Sequence, residues 1–210
     1  MIKKTVSVQK DNKITSYSKF QYIQKRVVDF SSITVLIILF SPLALYAIYR
    51  IKKESSGKIL FKQTRVGLNG KKFICYKFRS MHEKSHFDPY TRLKDSRVFP
   101  FGSIMRKYRF DELPQVWNII KGEMHLVGPR AEWDILVKDY EKEIPNYHQR
   151  HIVKPGITGL AQVSHPYGRN VEDAKVKLKF DLKYIQNWSL LLEIRVIIKT
   201  IFTVLLKKGN

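Results

Sequence analysis

The stretch FSSITVLIILFSPLALYAIY, residues 30–49, contains no charged side chain, and the architecture of this 210-residue chain follows from it. A helix of this length reaches about 30 Å, which is enough to cross the hydrocarbon core of a bilayer. Ser41 and Pro42 lie near its middle, where proline removes a backbone donor and bends or breaks a helix. These residues predict a membrane segment that is interrupted at Ser41 and Pro42.

Both flanks of this stretch are basic, with seven Lys or Arg in residues 1–28 and six in residues 50–65. A spanning helix normally keeps its positive flank on the cytoplasmic side only. We therefore expect a re-entrant helix-break-helix that leaves the membrane on the side it entered, with Ser41 bonding a carbonyl that Pro42 frees. A kinked spanning helix is the alternative. A buried core helix of a soluble protein fits less well, because it would seldom run this long without a charge.

The composition indicates a folded domain with an anionic partner. The formal net charge is +21, which favours a nucleic acid, an anionic lipid surface or a phosphorylated substrate without choosing among them. Hydrophobic residues make up 44% of the chain, which argues against a disordered basic protein. The single cysteine, Cys75, cannot form an internal disulfide, and its apolar neighbours predict a packed thiol.

The rest of the chain predicts an α/β fold that is mostly helical with a small β-hairpin, in a monotopic membrane protein. Residues 59–78 alternate like a hairpin, and Asn69-Gly70 suits its tight turn. Helices are expected from Asp111 or Glu112 to Gly122, and over 131–143, 172–188 and 190–206. We expect three parts: a mobile basic arm (1–20), a re-entrant helix (21–56) and a cytoplasmic catalytic domain (57–210).

The last predicted helix, residues 190–206, is apolar except for two threonines and three charges, Glu193, Arg195 and Lys199. Three charges are too many for a membrane span but suit a helix that lies in the membrane interface. This pattern predicts an amphipathic interfacial helix at the end of the domain.

An acidic dyad, Asp111-Glu112, lies within a few residues of Arg106 and other basic residues. Adjacent carboxylates are costly to ionise together unless cations or a metal offset their charge. A divalent ion with clustered Arg and Lys is also what a diphosphate substrate needs. The alternative for the pair alone is a helix N-terminus, where acidic residues are favourable, and Pro114 is tolerated in such a first turn.

Several motifs in order carry a family resemblance: KFRSM at 77–81, DELPQ at 111–115, NIIKG at 118–122, LVGPR at 126–130 and PGITGLAQ at 155–162. With these motifs, residues 25–207 resemble the bacterial sugar transferases, the small monotopic polyprenyl-phosphate phosphoglycosyl transferases. The sequence departs from the family pattern at Ala131, at Arg109-Phe110 and at Glu193, where proline, small polar or aliphatic residues, and aspartate are usual. None of these departures removes a residue that the chemistry needs.

The resemblance implies transfer of a sugar 1-phosphate from a UDP-sugar to a polyprenyl phosphate such as undecaprenyl phosphate, releasing UMP. Asp111 would be the nucleophile and a ligand of Mg²⁺, the implied cofactor, and Glu112 would position the incoming phosphate or handle its proton. Six further residues are expected to bind substrate: Lys77, Arg79, Arg106, Arg130, Arg169 and Asp181. The chain resembles the short form of the family, and we expect it at the cytoplasmic face of the bacterial inner membrane.

Two other functions compete with this one. A membrane-associated nucleic-acid-binding protein would explain the charge, but the basic residues are spread along the chain and flank membrane segments, so no nucleic acid is expected as a partner. A non-catalytic membrane scaffold is the other alternative. The residues decide neither the sugar nor whether the chain forms a homo-oligomer.

Overall fold

The fold was obtained as a computed structural model, which describes residues 16–83, 95–165 and 170–206. It is mostly helical, and its seven described α-helices are α1 (Lys19–Glu54), α2 (Pro100–Lys107), α3 (Val116–Ile120), α4 (Asp134–Glu143), α5 (Leu160–Ser164), α6 (Val171–Gln186) and α7 (Leu190–Leu205). The four described strands are β1 (Leu60–Val66), β2 (Lys72–Phe78), β3 (His125–Val127) and β4 (Gly156–Thr158). Short 3-10 turns at Leu68–Gly70, Phe110–Gln115 and Tyr147–Ile152 connect these elements.

Helix α1 contains the long apolar stretch. It begins at a capping box, in which the Ser18 hydroxyl accepts from Gln21 N and the Gln21 side chain accepts from Ser18 N. The helix continues through Ser41 and Pro42 without a break, so the expected interruption into two separate helices is not present. Its most apolar window has a mean hydropathy of 2.1 and only 11% of that window is buried. Of the predicted basic arm, residues 1–15 lie outside the described residues, and α1 already begins at Lys19.

Both ends of α1 pack on the remainder of the chain. Ile33 belongs to a core with residues of β3, α6 and α7, among them Val127 and Val196. Ala47 and Ile51 belong to a second core, formed with Phe78 at the end of β2 and with aromatic residues around α2. Between these two contacts, residues 37–42 are all exposed, while Leu36 and Leu43 on either side are partly buried against the two cores.

The predicted hairpin is confirmed. Strands β1 and β2 are antiparallel, in a register that pairs Val66 with Lys72 and Leu60 with Phe78. Asn69 (φ 52°) and Gly70 (φ 75°) adopt the left-handed conformation that favours these residue types in the turn. Cys75 in β2 is buried, as the apolar neighbours predicted.

A second, parallel sheet was not predicted. Strands β3 and β4 have three residues each and pair in the register His125↔Gly156 and Val127↔Thr158. The backbones approach so closely that a Cβ atom on Gly156 would lie 2.1 Å from Gly128 N. Strands this short give no periodicity in the sequence, which explains why the pattern did not indicate them.

The C-terminal helices agree with the prediction to within three residues, but two expectations are wrong. The segment that starts at Asp111 is a 3-10 turn before it becomes α3, since Arg109 is left-handed (φ 56°) and Pro114 has no N–H to donate. In α7, Glu193 is fully buried and does not lie on an interfacial charged face.

Candidate active site

The acidic dyad lies in the 3-10 turn Phe110–Gln115, which joins α2 to α3. The left-handed residue Arg109 reverses the chain direction after α2, and the Glu112 amide donates to the Arg109 carbonyl. The turn packs on β2 of the hairpin. Two carboxylates that are adjacent in sequence therefore occupy a rigid turn between a helix and a sheet.

Glu112 is buried (8% exposed) and held by two cations. Its Oε1 atom accepts from Lys77 Nζ at 2.6 Å and from Arg130 Nη2 at 3.0 Å. Burial acts to raise the pKa of Glu112, but Lys77 and Arg130 outweigh it and hold this pKa well below its ordinary value. Lys77 comes from β2 and Arg130 from the segment after β3, so Glu112 joins the two sheets electrostatically.

Asp111 is in a different environment. Burial raises its pKa above the ordinary value; Glu112 adds to this rise, while Lys77, Arg106 and Arg130 oppose it. In the described part of the chain, no hydrogen bond to the Asp111 carboxylate is formed. The pKa values of the two neighbouring carboxylates are therefore shifted in opposite directions, which favours different roles for them. Glu112 is held in its ionised form, whereas the oxygens of Asp111 are open to a ligand.

The basic residues predicted for substrate binding divide into two groups. Lys77 and Arg130 contact the dyad, and Arg106, in the last turn of α2, acts electrostatically on Asp111. Arg79 is buried, and its guanidinium donates to Ser55 and to the carbonyls of Ser56 and Lys58. The structure therefore corrects the expectation for Arg79, whose guanidinium fixes the chain after α1 instead of facing the dyad.

Asp181 also departs from the expectation of substrate binding. It is 1% exposed, and its Oδ2 lies 2.7 Å from Arg150 Nη2. Burial raises the pKa of Asp181 to about 6, against the opposing charge of Arg150. Arg150 in turn donates to the Arg130 carbonyl at 2.9 Å, so Asp181 lies behind the site, one residue removed from Arg130. The last predicted substrate-binding residue, Arg169, lies outside the described residues.

The donor set fits Mg²⁺ only together with a phosphate ligand. Among the described residues, no group of three or more His, Cys, Asp or Glu could hold a metal ion. Mg²⁺ is commonly bound by one or two carboxylates plus substrate phosphates, and Asp111 supplies one carboxylate with open oxygens. The Glu112 carboxylate is already bonded to Lys77 and Arg130.

Sequence reasoning missed a buried network that holds α1 to the domain. Lys25 Nζ is completely buried and donates to the Val127 carbonyl, the Tyr184 hydroxyl and Glu193 Oε1, at 2.9, 2.9 and 2.7 Å. One turn later, Asp29 accepts from Leu126 N and lies 2.5 Å from His125 Nδ1. A signal was available, since residues 25, 29 and 33 recur at four-residue spacing and so share one helix face.

Comparison with known proteins shows the family to which the chain belongs. Residues 20–207 match the family described as bacterial sugar transferase. An Aeromonas hydrophila protein named UDP-N-acetylgalactosamine-undecaprenyl-phosphate N-acetylgalactosaminephosphotransferase is 45% identical over 183 residues, covering 86% of this chain and 43% of that protein. A UDP-glucose:undecaprenyl-phosphate glucose-1-phosphate transferase of Xanthomonas campestris pv. campestris is 43% identical over 174 residues, 80% of this chain and 36% of that protein.

A third relative is closer in length. The exopolysaccharide production protein PSS of Rhizobium leguminosarum bv. phaseoli is 39% identical over 188 residues, which cover 85% of this chain and 94% of that protein. The chain thus spans less than half of the first two relatives but most of the third.

Proposed function

This chain belongs to the bacterial sugar transferase family, and from that premise we propose that it transfers a sugar 1-phosphate from a UDP-sugar to a polyprenyl phosphate. Two similar proteins are named as transferases of this kind, one for N-acetylgalactosamine and one for glucose, with undecaprenyl phosphate as acceptor. The observation that carries the proposal is the dyad, in which an open Asp111 carboxylate stands beside a Glu112 that two cations hold ionised. The product would enter a glycan pathway such as exopolysaccharide synthesis, as the name of a third relative suggests.

The proposed chemistry proceeds in two displacements at one phosphorus. An Asp111 oxygen attacks the β-phosphorus of the UDP-sugar, the new P–O bond forms, and the bond to the bridging oxygen breaks with release of UMP. An oxygen of the polyprenyl phosphate then attacks the same phosphorus and displaces Asp111 as a free carboxylate. The sugar is carried through as a phospho-sugar on Asp111, and no redox partner is needed.

Glu112 has a supporting role in this proposal. Because its pKa is held low, Glu112 stays ionised and is poorly suited to carry a proton. Instead it fixes Lys77 and Arg130 next to Asp111, where their charges can stabilise the developing charge on phosphoryl oxygens. When bound with substrate, Mg²⁺ would neutralise the diphosphate and assist the leaving group, and Asp111 is the residue that would hold it.

The packing of α1 supports a re-entrant attachment to the membrane. A straight helix of 36 residues would be about 54 Å long, with its two ends on opposite sides of a bilayer. Here Ile33 and Ile51 both pack into cores of one body, while Ile38 (68% exposed) and Leu39 (64%) between them have no such contact. Because α1 is continuous, this proposal requires the helix to bend at Pro42, so that its apolar middle dips into one leaflet and the protein lies on the cytoplasmic face of the inner membrane.

Helix α7 provides a second apolar surface for the same membrane. Apart from Arg195 and Lys199, its exposed side chains are aliphatic or aromatic: Leu190, Leu191, Ile194, Ile198, Ile201, Phe202 and Leu205. Since Glu193 points into the core, the exposed face of α7 is more apolar than the sequence suggested. We propose that α7 lies in the membrane interface beside α1.

Labelling of single cysteines tests the membrane arrangement. In a Cys75→Ser background, Lys19→Cys and Lys53→Cys place exposed thiols at the two ends of α1. A membrane-impermeant maleimide should modify both thiols in inside-out vesicles and neither in intact spheroplasts. Modification of the two thiols from opposite sides would mean that α1 spans the bilayer.

Release of UMP tests the activity. Membranes that contain the protein, with Mg²⁺ and a polyprenyl phosphate, should release UMP from at least one UDP-sugar, UDP-N-acetylgalactosamine and UDP-glucose being the first to try. Asp111→Asn should abolish release, while Asp139→Asn on the exposed face of α4 should not. A folded wild-type protein that releases no UMP from a broad panel of UDP-sugars would favour the scaffold function instead.

A further inference from the structure

A small cavity lies next to the dyad, and three of the eight residues that line it are basic. Its volume is about 10 Å³, and its wall includes Arg65, Lys77, Gln115 and Arg130 together with Cys75 and Met124. A space of this size holds about one water oxygen and is too small for a whole phosphate ion. Lys77 and Arg130 are the same residues that hold Glu112, so the cavity adjoins the proposed site of phosphoryl transfer.

Arg65, from β1, is the unexplained member of this wall. Its Nη1 donates to the Ala131 carbonyl at 2.8 Å, and its nearest carboxylate, Glu132, lies 3.9 Å away, beyond hydrogen-bond distance. Its Nε atom is buried and has no hydrogen-bond partner among the described residues. A buried donor on a charged group that lacks an acceptor is unfavourable, so an acceptor is expected there in the working protein.

The charges around the cavity favour an anion. Arg65, Lys77 and Arg130 meet there, while Glu112 is shared between Lys77 and Arg130. Burial lowers the pKa of Arg65, and repulsion by Arg130 lowers it further, although Glu132 and Glu112 oppose this. Glu112 and Glu132 offset part of this positive charge, but neither accepts a hydrogen bond from Arg65 Nε, which is the donor left for an anionic oxygen.

We propose that this cavity receives one non-bridging oxygen of the phosphoryl group that is transferred, and that Arg65 is a further phosphate-binding residue. The inference rests on the proposed function, because the phosphorus must lie beside Asp111 while one of its oxygens enters the cavity. The volume of the cavity admits a single oxygen atom, and the basic residues that line it favour an oxygen that carries negative charge. Neither the motif that contains the dyad nor the predicted set of basic residues included Arg65.

Binding of inorganic phosphate tests the site without any turnover. The probe is titrated by calorimetry into the full chain in detergent micelles, for the wild type, Arg65→Met, Arg65→Lys and the matched control Arg97→Lys. Arg97 is likewise a buried arginine, but it pairs with Asp95 and does not line the cavity. We expect phosphate affinity to fall about ten-fold or more in Arg65→Met, less in Arg65→Lys, and not in Arg97→Lys.

Steady-state kinetics of UMP release complete the test. If Arg65 binds an oxygen that gains charge during transfer, Arg65→Lys should lower kcat more than it raises KM. If Arg65→Met does not fold, Arg65→Lys still decides the question, because lysine keeps the positive charge but reaches less far into the cavity than arginine. Wild-type phosphate affinity in both Arg65 variants would overturn the proposal and assign Arg65 a purely structural role.

The two proposals fail in different ways. UMP release by the wild type with unchanged phosphate affinity and kinetics in the Arg65 variants would reject the oxygen site and leave the transferase function standing. Phosphate binding that depends on Arg65, in a wild type that releases no UMP, would support the anion site and reject the transferase function.

Discussion

Replacing Lys25 by methionine should destabilise the protein more than any exposed charge substitution in α1. The ammonium is fully buried, and its three donors are used by Val127, Tyr184 and Glu193. Methionine keeps much of the volume but removes the charge, so the buried Glu193 loses its cation and keeps only Tyr184 and Trp188 as donors. Breaking a buried ion pair by removing one partner costs about 3–5 kcal/mol.

That loss corresponds to a fall in melting temperature of about 6–20 °C, at about 2–4 °C per kcal/mol for a domain of this size. Near-UV circular dichroism of the protein in detergent micelles measures it. Lys19→Met is the matched control, since Lys19 is an exposed lysine on the same helix, and it should change stability by less than about 0.5 kcal/mol.

The double variant Lys25→Met/Glu193→Gln separates the buried charge from other effects. Removing the stranded carboxylate should recover part of the loss, because the cost arises largely from an uncompensated charge. A single variant that melts within about 2 °C of the wild type would refute this reasoning. So would a double variant whose loss equals the sum of the two single losses, since Lys25 and Glu193 would then be uncoupled.

Two further predictions concern the dyad and the second buried pair. Lys77→Met removes a cation that lowers the pKa of Asp111, so this pKa should rise. The acidic limb of the pH profile of kcat/KM for UMP release should therefore move to higher pH, and kcat/KM should fall about 10- to 150-fold. If the acidic limb does not move, Asp111 is not the group that titrates in it. Asp29→Ala leaves Leu126 N and His125 Nδ1 without their acceptor and should lower the free energy of unfolding in urea by about 1–3 kcal/mol. Asp29→Asn should lower it by less. Equal losses in the two variants would show that the hydrogen bonds are unimportant.

Local features of the fold could be predicted from the sequence. The hairpin followed from alternation and from Asn69-Gly70, because a tight turn needs residues that tolerate positive φ. The helices α4, α6 and α7 followed from their periodicity and caps. The dyad and its neighbours Lys77 and Arg130 could be named because they lie inside recognisable motifs, and the structure brings Lys77 and Arg130 within hydrogen-bond distance of Glu112.

Contacts between distant segments could not be predicted. Arg79 stands in the same motif as Lys77, but it lies just beyond the end of β2 at Phe78, where the alternation of the strand no longer fixes the side-chain direction. Only the fold shows that the chain after α1 binds the Arg79 guanidinium. Asp181 matched a motif position, yet its role depends on Arg150, which is 31 positions away in sequence. Glu193 seemed interfacial because a single helix does not reveal that Lys25, from another helix, will neutralise it.

The central claim is that Asp111 carries the phospho-sugar. Purified protein is incubated with Mg²⁺ and a UDP-sugar that supports UMP release, without polyprenyl phosphate, then quenched and digested for mass spectrometry. We predict a mass increase equal to one sugar phosphate on the peptide that contains Asp111, which disappears when polyprenyl phosphate is added and is absent from Asp111→Asn. Full transfer activity in Asp111→Asn, with no adduct on that peptide in the wild type, would contradict the account.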